Sequence, residues 1–215
     1  MAMGQPVAFQ EKLGIQSQSS LGIDCHTNNS ASLMTEMRLL LQTSRNSYNE
    51  EFVKQGKLPK KVNKTVEEAF NLATVQGARA IGMLDKIGSL AVGKKADIVI
   101  FDAQSPSMVC AAQHDPLAAI VLHSSPADIE TVIIDGVIKK RNWILDDVSI
   151  CPDAIQMWDG ANKIGEKLSW KDVSRELVKR RVEMQKRVEK LDMDAAKKAV
   201  IKAFHIDEST ITDKP

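Results

Sequence analysis

The segment Ser20-Leu21-Gly22-Ile23-Asp24-Cys25-His26 holds the residues whose types best suit chemistry. Its apolar start predicts a short strand, roughly Gln18 to Ile23, that ends just before Asp24. In parallel α/β folds the loops at the carboxyl ends of the strands build the active site, and a carboxylate there can bind a metal ion or accept a proton from water. An aspartate at a strand end is also a common helix cap or loop brace, so the spacing leaves both roles open for Asp24.

The histidines supply no local metal-binding motif. His26 lies two residues beyond Asp24 and would share its face only if the strand continued, whereas Thr27-Asn28-Asn29 favours a loop. We therefore interpret His26 as a surface or supporting residue. The histidines at positions 26, 114, 123 and 205 form neither His-x-His nor His-x-x-x-His, and the chain contains no nucleophile elbow, P-loop or dinucleotide-binding glycine motif. Taken alone, the residues predict one candidate carboxylate and no assembled site.

Composition narrows the class of protein. The chain has 215 residues, with 29 Lys and Arg against 28 Asp and Glu, and a formal net charge of +1. This balance argues against nucleic acid as the main partner, and the apolar runs are far shorter than the ~20 residues that span a bilayer. Three cysteines at wide spacings give no disulfide framework, and the first twenty residues lack a secretory signal. We expect a cytoplasmic protein with no nucleic-acid or membrane partner.

Periodicity and capping residues predict the helices. A capping box at Thr65 and Glu68 opens a helix that we expect to continue to Gly82. The polar stretch from Asn46 to Lys64, before that helix, is typical of an exposed connection. An earlier amphipathic helix is indicated by one apolar stripe, formed by Leu33, Met34, Met37, Leu40 and Leu41.

Two segments after Gly82 have the residue patterns of strands. Ala96 to Phe101 is predicted to include a nearly all-apolar strand that is buried on both faces. Asp135-Gly136, flanked by Thr131 to Ile134 and Val137 to Lys140, suits the two-residue type I′ turn of a hairpin. From Lys167 to Phe204 the chain is charged and helical, and we interpret its polar residues as a solvated face rather than a binding patch. The sequence thus predicts an α/β fold.

Three stretches carry a resemblance to a known family: LGIDCHTNNSASLMTEMRLLLQTSR, TVEEAFNLATVQGARAIGMLDKIGSLAVGKKADIVIFDAQ and HDPLAAIVLHSSPADIETVIIDGVIKKRN. Together they resemble the C-terminal half of the metal-dependent amidohydrolase superfamily, and its cytosine deaminase-like and chlorohydrolase-like branch in particular. The likeness extends from about Gly4 to Asn142, and no signature of the family follows Cys151.

This resemblance implies a domain organisation. The family joins a metal-binding (β/α)₈ barrel to a small β-sandwich. Residues 1–85 would be the last strand and helices of the TIM-type barrel, residues 86–145 part of the composite β-sandwich, and residues 146–215 a helical charged tail. Because a complete barrel takes about 250 residues, we expect this chain to be a C-terminal remnant.

The resemblance also implies a function. It points to a hydrolase of carbon–nitrogen bonds other than peptide bonds, which deaminates or dechlorinates a heterocyclic or amide small molecule with a divalent metal, zinc or iron. Asp24 matches the family's catalytic aspartate, which ligates the metal and relays a proton from water. The family's histidine ligands have no counterpart here, so we expect the isolated chain to be inactive.

Two further expectations accompany this interpretation. The alternative function is a non-catalytic binding or scaffold protein that uses the basic helical tail to hold a partner. Because strands without neighbours leave open sheet edges, we also expect the chain to form homo-oligomers, to aggregate, or to show poorly packed strands near Leu21 and Ile98.

Overall fold

The structure is a computed structural model that describes residues 7–24, 29–149 and 167–210. The chain divides into two compact units, Met1–Asp146 and Asp147–Pro215. The first unit combines helices with an antiparallel sheet, which confirms the mixed α/β class. The partial barrel and the domain boundaries after residues 85 and 145 stay predictions.

The helical elements of the first unit lie on both sides of its first strand in the chain. They are 3₁₀ turns at Glu11–Leu13 and Gln16–Gln18, α1 (Leu33–Val53), α2 (Val66–Ala73), α3 (Val75–Ala80), α4 (Val109–His114), α5 (Pro116–Ala118) with a π-helical turn at Ala119–His123, and a 3₁₀ turn at Pro126–Asp128.

Helix α1 begins at its N-cap Ser32, whose side chain accepts a hydrogen bond from the backbone N–H of Thr35. It continues to Val53, so the prediction of an exposed connection from Asn46 was wrong for its first eight residues. Side-chain pairs one turn apart support the extra turns. The ring centroids of Tyr48 and Phe52 are 5.0 Å apart, and Lys54 Nζ lies 3.5 Å from Glu50 Oε1.

The hydrophobic core lies where α1, α2 and the π-helical turn meet. The predicted stripe supplies three of its buried side chains, so the amphipathic helix is confirmed. The buried members of the core are Phe9, Met37, Leu40, Leu41, Ala69, Leu72 and Val121.

The helix predicted from Thr65 to Gly82 is interrupted at Thr74. Its capping box is confirmed, because Glu68 N–H donates to Thr65 Oγ1 and Thr65 N–H donates to a Glu68 carboxylate oxygen. Thr74 then leaves the helical region, with φ −126° and ψ −96°, and its hydroxyl donates to the carbonyl of Phe70 at 2.9 Å. Such side-chain bonds compete with the helical ladder, so the chain forms α2 and α3 instead of one helix.

The strand expected over Gln18 to Ile23 is absent, and this prediction was wrong. Gln18 ends a 3₁₀ turn, and the following residues to Ile23 form no ladder. The backbone N–H of Leu21 instead donates to the carbonyl of Leu72 in α2, at 3.1 Å. A strand needs a neighbour for its backbone groups, and no described strand lies beside this segment.

The first unit also contains a four-stranded antiparallel sheet of β1 (Ile98–Phe101), β2 (Ile129–Ile134), β3 (Val137–Arg141) and β4 (Ile144–Leu145), which pair in that order. Asp135 and Gly136, between β2 and β3, have φ values of 51° and 78°, the two positive angles that a type I′ turn requires. This confirms the predicted hairpin.

Strand β1 has the predicted position but not the predicted burial. Val99 is 48% exposed and Ile100 is 43% exposed, although adjacent residues of a strand point to opposite faces. Among the described strands, β1 lies at the edge of the sheet and pairs only with β2. Burial on both faces needs a covering layer on each side, and the described residues provide none at these two side chains.

The second unit is mostly helical. Two short strands, β5 (Val148–Ser149) and β6 (Lys167–Leu168), pair with each other. The predicted helical tail is confirmed as two helices, α6 (Trp170–Val188) and α7 (Met193–Ala203), with no buried residue in either. A 3₁₀ turn spans Glu208–Thr210. Across the described part of the chain, no helix is long and apolar enough to cross a membrane.

Candidate functional site

Asp24 stands at the end of a segment that is anchored to α2. Leu21 packs against the core and is hydrogen-bonded to Leu72, as described above. Two residues of irregular backbone follow, and Asp24 itself is exposed, with a φ of 64° in the left-handed region. This conformation is uncommon for residues other than glycine but favours aspartate and asparagine. The structure therefore presents the Asp24 carboxylate to solvent at a turn of the chain.

A hydrogen bond from Asn29 closes the loop that begins at Asp24. The Asn29 side-chain amide donates to the backbone carbonyl of Ile23 at 2.7 Å. This bond joins the residue before Asp24 to the segment that leads into α1. Cys25 and His26 lie outside the described residues, so their predicted roles stay predictions.

Glu36, in the first turn of α1, is hydrogen-bonded to Ser30, which follows Asn29. Glu36 is 9% exposed, and one of its carboxylate oxygens accepts hydrogen bonds from both the backbone N–H and the hydroxyl of Ser30, at 3.2 and 2.9 Å. The Ser30 hydroxyl also lies 3.2 Å from the carbonyl of Ser32, the N-cap. The sequence pattern did not single out Glu36, because a glutamate one turn into a helix is ordinarily solvated. Its burial depends on the serine that folds back over it.

The described residues do not by themselves form a complete metal centre. No group of three or more His, Cys, Asp or Glu side chains that could hold a metal ion exists within residues 7–24, 29–149 and 167–210. His114, His123 and His205 are exposed. Since a catalytic metal of this kind usually has about three protein ligands, Asp24 would need partners from elsewhere.

A second carboxylate, Asp128, has the most perturbed environment among the described residues. It is 5% exposed and accepts hydrogen bonds from the hydroxyls of Ser105 and Ser107, both at 2.6 Å, and from the backbone N–H and hydroxyl of Ser125. Burial alone would raise the pKa of Asp128, but these hydrogen bonds to the charged form lower the pKa to about 2.

The surroundings of Asp128 indicate a structural role. Its carboxylate caps the 3₁₀ turn that it ends and ties the loop after β1 to the start of β2, where its own carbonyl accepts from the backbone N–H of Asp102. Sequence reasoning missed it, because the three serines come from two separate loops. The Ser125-x-x-Asp128 capping spacing was the one available signal.

Comparison with known proteins decides the family. Residues 10–139 match the amidohydrolase family, which is more than half of the chain. The chain belongs to the amidohydrolase family. This confirms the resemblance found in the sequence, and the matched range ends before the second unit begins.

Individual relatives of this amidohydrolase chain cover it only in part. It is 29% identical over 140 residues to an S-triazine hydrolase from Gordonia rubripertincta, which is 65% of this chain and 27% of that protein. It is 40% identical over 72 residues to a 5-methylthioadenosine/S-adenosylhomocysteine deaminase from Symbiobacterium thermophilum, which is 34% of this chain and 16% of the deaminase. The chain thus spans no more than 27% of either relative.

One solved structure supports the fold of the amidohydrolase unit. An adenosine deaminase from Xanthomonas campestris with bound zinc superposes with a TM-score of 0.54 and 22% identity, over 71% of this chain and 31% of that one. At this identity the likeness supports the fold and not a shared substrate.

Proposed function

We propose that this amidohydrolase chain carries the proton-transferring carboxylate of a hydrolase that acts on carbon–nitrogen bonds other than peptide bonds. The observation that carries the proposal is the position of Asp24, exposed at a braced turn just before α1, within the range that matches the family. The names of two relatives, a triazine hydrolase and a deaminase, favour nitrogen heterocycles as the substrates. The resemblance seen in the sequence adds amino and chloro groups as the leaving groups.

The chemistry assigned to Asp24 is general acid–base catalysis. Its carboxylate would accept a proton from water as the water oxygen attacks the ring carbon that bears the amino group. The same proton would then pass to the departing nitrogen as the carbon–nitrogen bond breaks, releasing ammonia. Proton transfer by a positioned side chain typically contributes about 10²- to 10⁴-fold in rate.

The rest of the site would come from residues beyond those described. The zinc or iron expected from the resemblance needs more ligands than Asp24, and the chain spans 27% of its triazine hydrolase relative. We therefore expect the isolated chain to lack activity.

We also propose a cytoplasmic location. Within the described residues, the thiol of Cys110 is exposed and forms no disulfide.

The test uses a fusion in which this chain follows the N-terminal part of the Gordonia triazine hydrolase, up to the matched segment. Release of ammonia or chloride from amino- and chlorotriazines and from 5-methylthioadenosine is measured for the fusion, for the chain alone and for two variants of the fusion. We expect turnover in the fusion alone. Asp24→Asn should lower it by about 10²-fold or more.

The matched control is Asp85→Asn, because Asp85 is likewise exposed and lies in a loop. This variant should keep the turnover of the parent fusion. Equal activity of the Asp24→Asn variant and its parent would contradict the role of Asp24, and turnover by the chain alone would contradict the incompleteness of its site.

A further inference from the structure

The connection between α1 and α2 is unusually basic. From Lys54 to Lys64 it has lysines at five of eleven positions, 54, 57, 60, 61 and 64, and contains no aspartate or glutamate. No step of the proposed hydrolysis uses this segment. Its side chains therefore need a separate explanation.

Part of the connection folds against α1 and leaves a small cleft. Arg45 and Asn49, one turn apart on α1, form one wall, and residues 59–63 form the other. The cleft has a volume of about 160 Å³. The cleft is open to solvent, so a small anion, or the anionic group of a larger molecule, can enter it.

The charges around the cleft are positive and unbalanced. Its lining residues include Arg45, Lys60 and Lys61 but no carboxylate. The Lys54 ammonium lies 3.5 Å from a carboxylate oxygen of Glu50. The Lys64 ammonium lies 3.6 Å from a carboxylate oxygen of Glu11. Lys60 and Lys61 are exposed, and the described residues offer neither of them a hydrogen bond or an ion pair. Three cations thus share one concave surface without a counter-charge.

Arg45 gives the cleft a fixed cation. Its Nε donates to the carbonyls of Asn63 and Lys64, each at 3.2 Å, and one Nη donates to Lys64 at 2.8 Å. These bonds hold the guanidinium in place but supply only dipoles, so its full charge remains uncompensated. A held guanidinium loses little side-chain entropy when it binds an oxyanion.

We propose that this cleft binds a phosphate-type dianion, either free inorganic phosphate or the phosphomonoester group of a larger molecule. Lys60 and Lys61 supply mobile ammonium donors, and Arg45 supplies the fixed charge. The Asn49 side chain, also in the lining, adds a neutral amide donor. A dianion relieves the repulsion among the three cations and gains charge-assisted hydrogen bonds. The site is independent of Asp24 and of the proposed hydrolysis.

Calorimetric titration of the 215-residue chain with inorganic phosphate, in a buffer without phosphate, tests the proposal. We expect one saturable site whose affinity falls as salt rises. The double variant Lys60→Ala/Lys61→Ala should weaken binding by about a hundredfold or more, since each lost charge-assisted hydrogen bond lowers the affinity by about tenfold or more. Lys57→Ala is the matched control, because Lys57 is exposed in the same segment but does not line the cleft.

The proposal fails if phosphate does not saturate a single site, or if Lys57→Ala weakens binding as much as the double variant, which would show diffuse screening by a basic surface. Circular dichroism of each variant checks that the fold is intact. Should the double variant unfold, Lys60→Gln and Lys61→Gln are measured singly, with a loss of binding expected in each.

A second arm distinguishes free phosphate from a lipid headgroup. The chain is mixed with phosphatidylcholine vesicles that contain phosphatidic acid, whose headgroup is a phosphomonoester. Leu58 is 82% exposed beside the lysines and would contact the bilayer. Vesicle binding that Leu58→Ser abolishes, with phosphate binding unchanged, identifies the lipid form. Phosphate binding without vesicle binding identifies the soluble form, and the absence of both overturns the proposal.

Discussion

Asn29 donates a 2.7 Å hydrogen bond from its side-chain amide to the backbone carbonyl of Ile23, the residue that precedes Asp24. The two residues are six apart in sequence, so this bond fixes both ends of the loop that presents the candidate catalytic carboxylate. Glu36, through Ser30, ties the same loop to the first turn of α1.

Replacing Asn29 by alanine should loosen this loop. Asn29→Ala removes the donor to the Ile23 carbonyl, and we expect the free energy of unfolding to fall by about 1 kcal/mol. Backbone amide exchange near Ile23 should also become faster. Asn46→Ala, at an exposed position of α1, is the control and should leave the free energy of unfolding unchanged. Unchanged exchange near Ile23 would show that Asn29 does not hold the loop.

Gly88 should tolerate no side chain. A Cβ atom there would lie 2.6 Å from Cβ of Ala78 and 3.2 Å from Cα of Val75, both in α3. Gly93 has nearly the same φ, 89° against 87°, but open space around it. Gly93→Ala should therefore lower the free energy of unfolding only through backbone strain. Gly88→Ala should lower the free energy of unfolding by about 1–3 kcal/mol more, because it also overpacks the contact with α3. Chemical denaturation of both variants measures the difference, and equal stabilities would contradict the close packing.

Asp128 should make stability depend on acid pH. Because the pKa of the folded form is about 2 and the ordinary value is 3.8, its contribution is complete above pH 3.8 and is lost as the pH falls through about 2. Asp128→Asn should lower the free energy of unfolding at neutral pH by about 1.5–3 kcal/mol. It should also flatten the dependence of the free energy of unfolding on pH between pH 4 and pH 2.

Denaturation curves across this pH range, with Asp85→Asn as the exposed control, provide the measurement. An Asp128→Asn variant that keeps the acid slope of the parent would show that other carboxylates determine it.

The open edge of β1 should promote self-association. Val99 and Ile100 are nearly half exposed on a strand that has one neighbour, β2, among the described strands, and open strand edges pair with other chains. Light scattering during size-exclusion chromatography should show a mass that rises with concentration. Val99→Lys should reduce association, because a lysine on the edge opposes strand addition. Val92→Lys, in the fully exposed turn before β1, should not. A monomer at every concentration would overturn this prediction.

The features that the sequence determined by itself are local. The Thr65–Glu68 capping box and the Asp135-Gly136 turn involve residues within three positions of each other, and their geometry follows from residue type. The apolar stripe of α1 also follows from spacing, because its period matches the helix. The motif strings were sufficient to recognise the amidohydrolase family.

Tertiary structure decided the features that depend on distant neighbours. The segment before Asp24 has strand-like residues but forms no strand, because no described strand pairs with it, and β1 is half exposed for lack of a covering layer. The serines that surround Asp128 lie up to 23 positions away, and the cleft at Arg45 depends on how a connecting segment folds back on α1. Spacing cannot reveal such contacts, since they depend on which surfaces the packed core brings together.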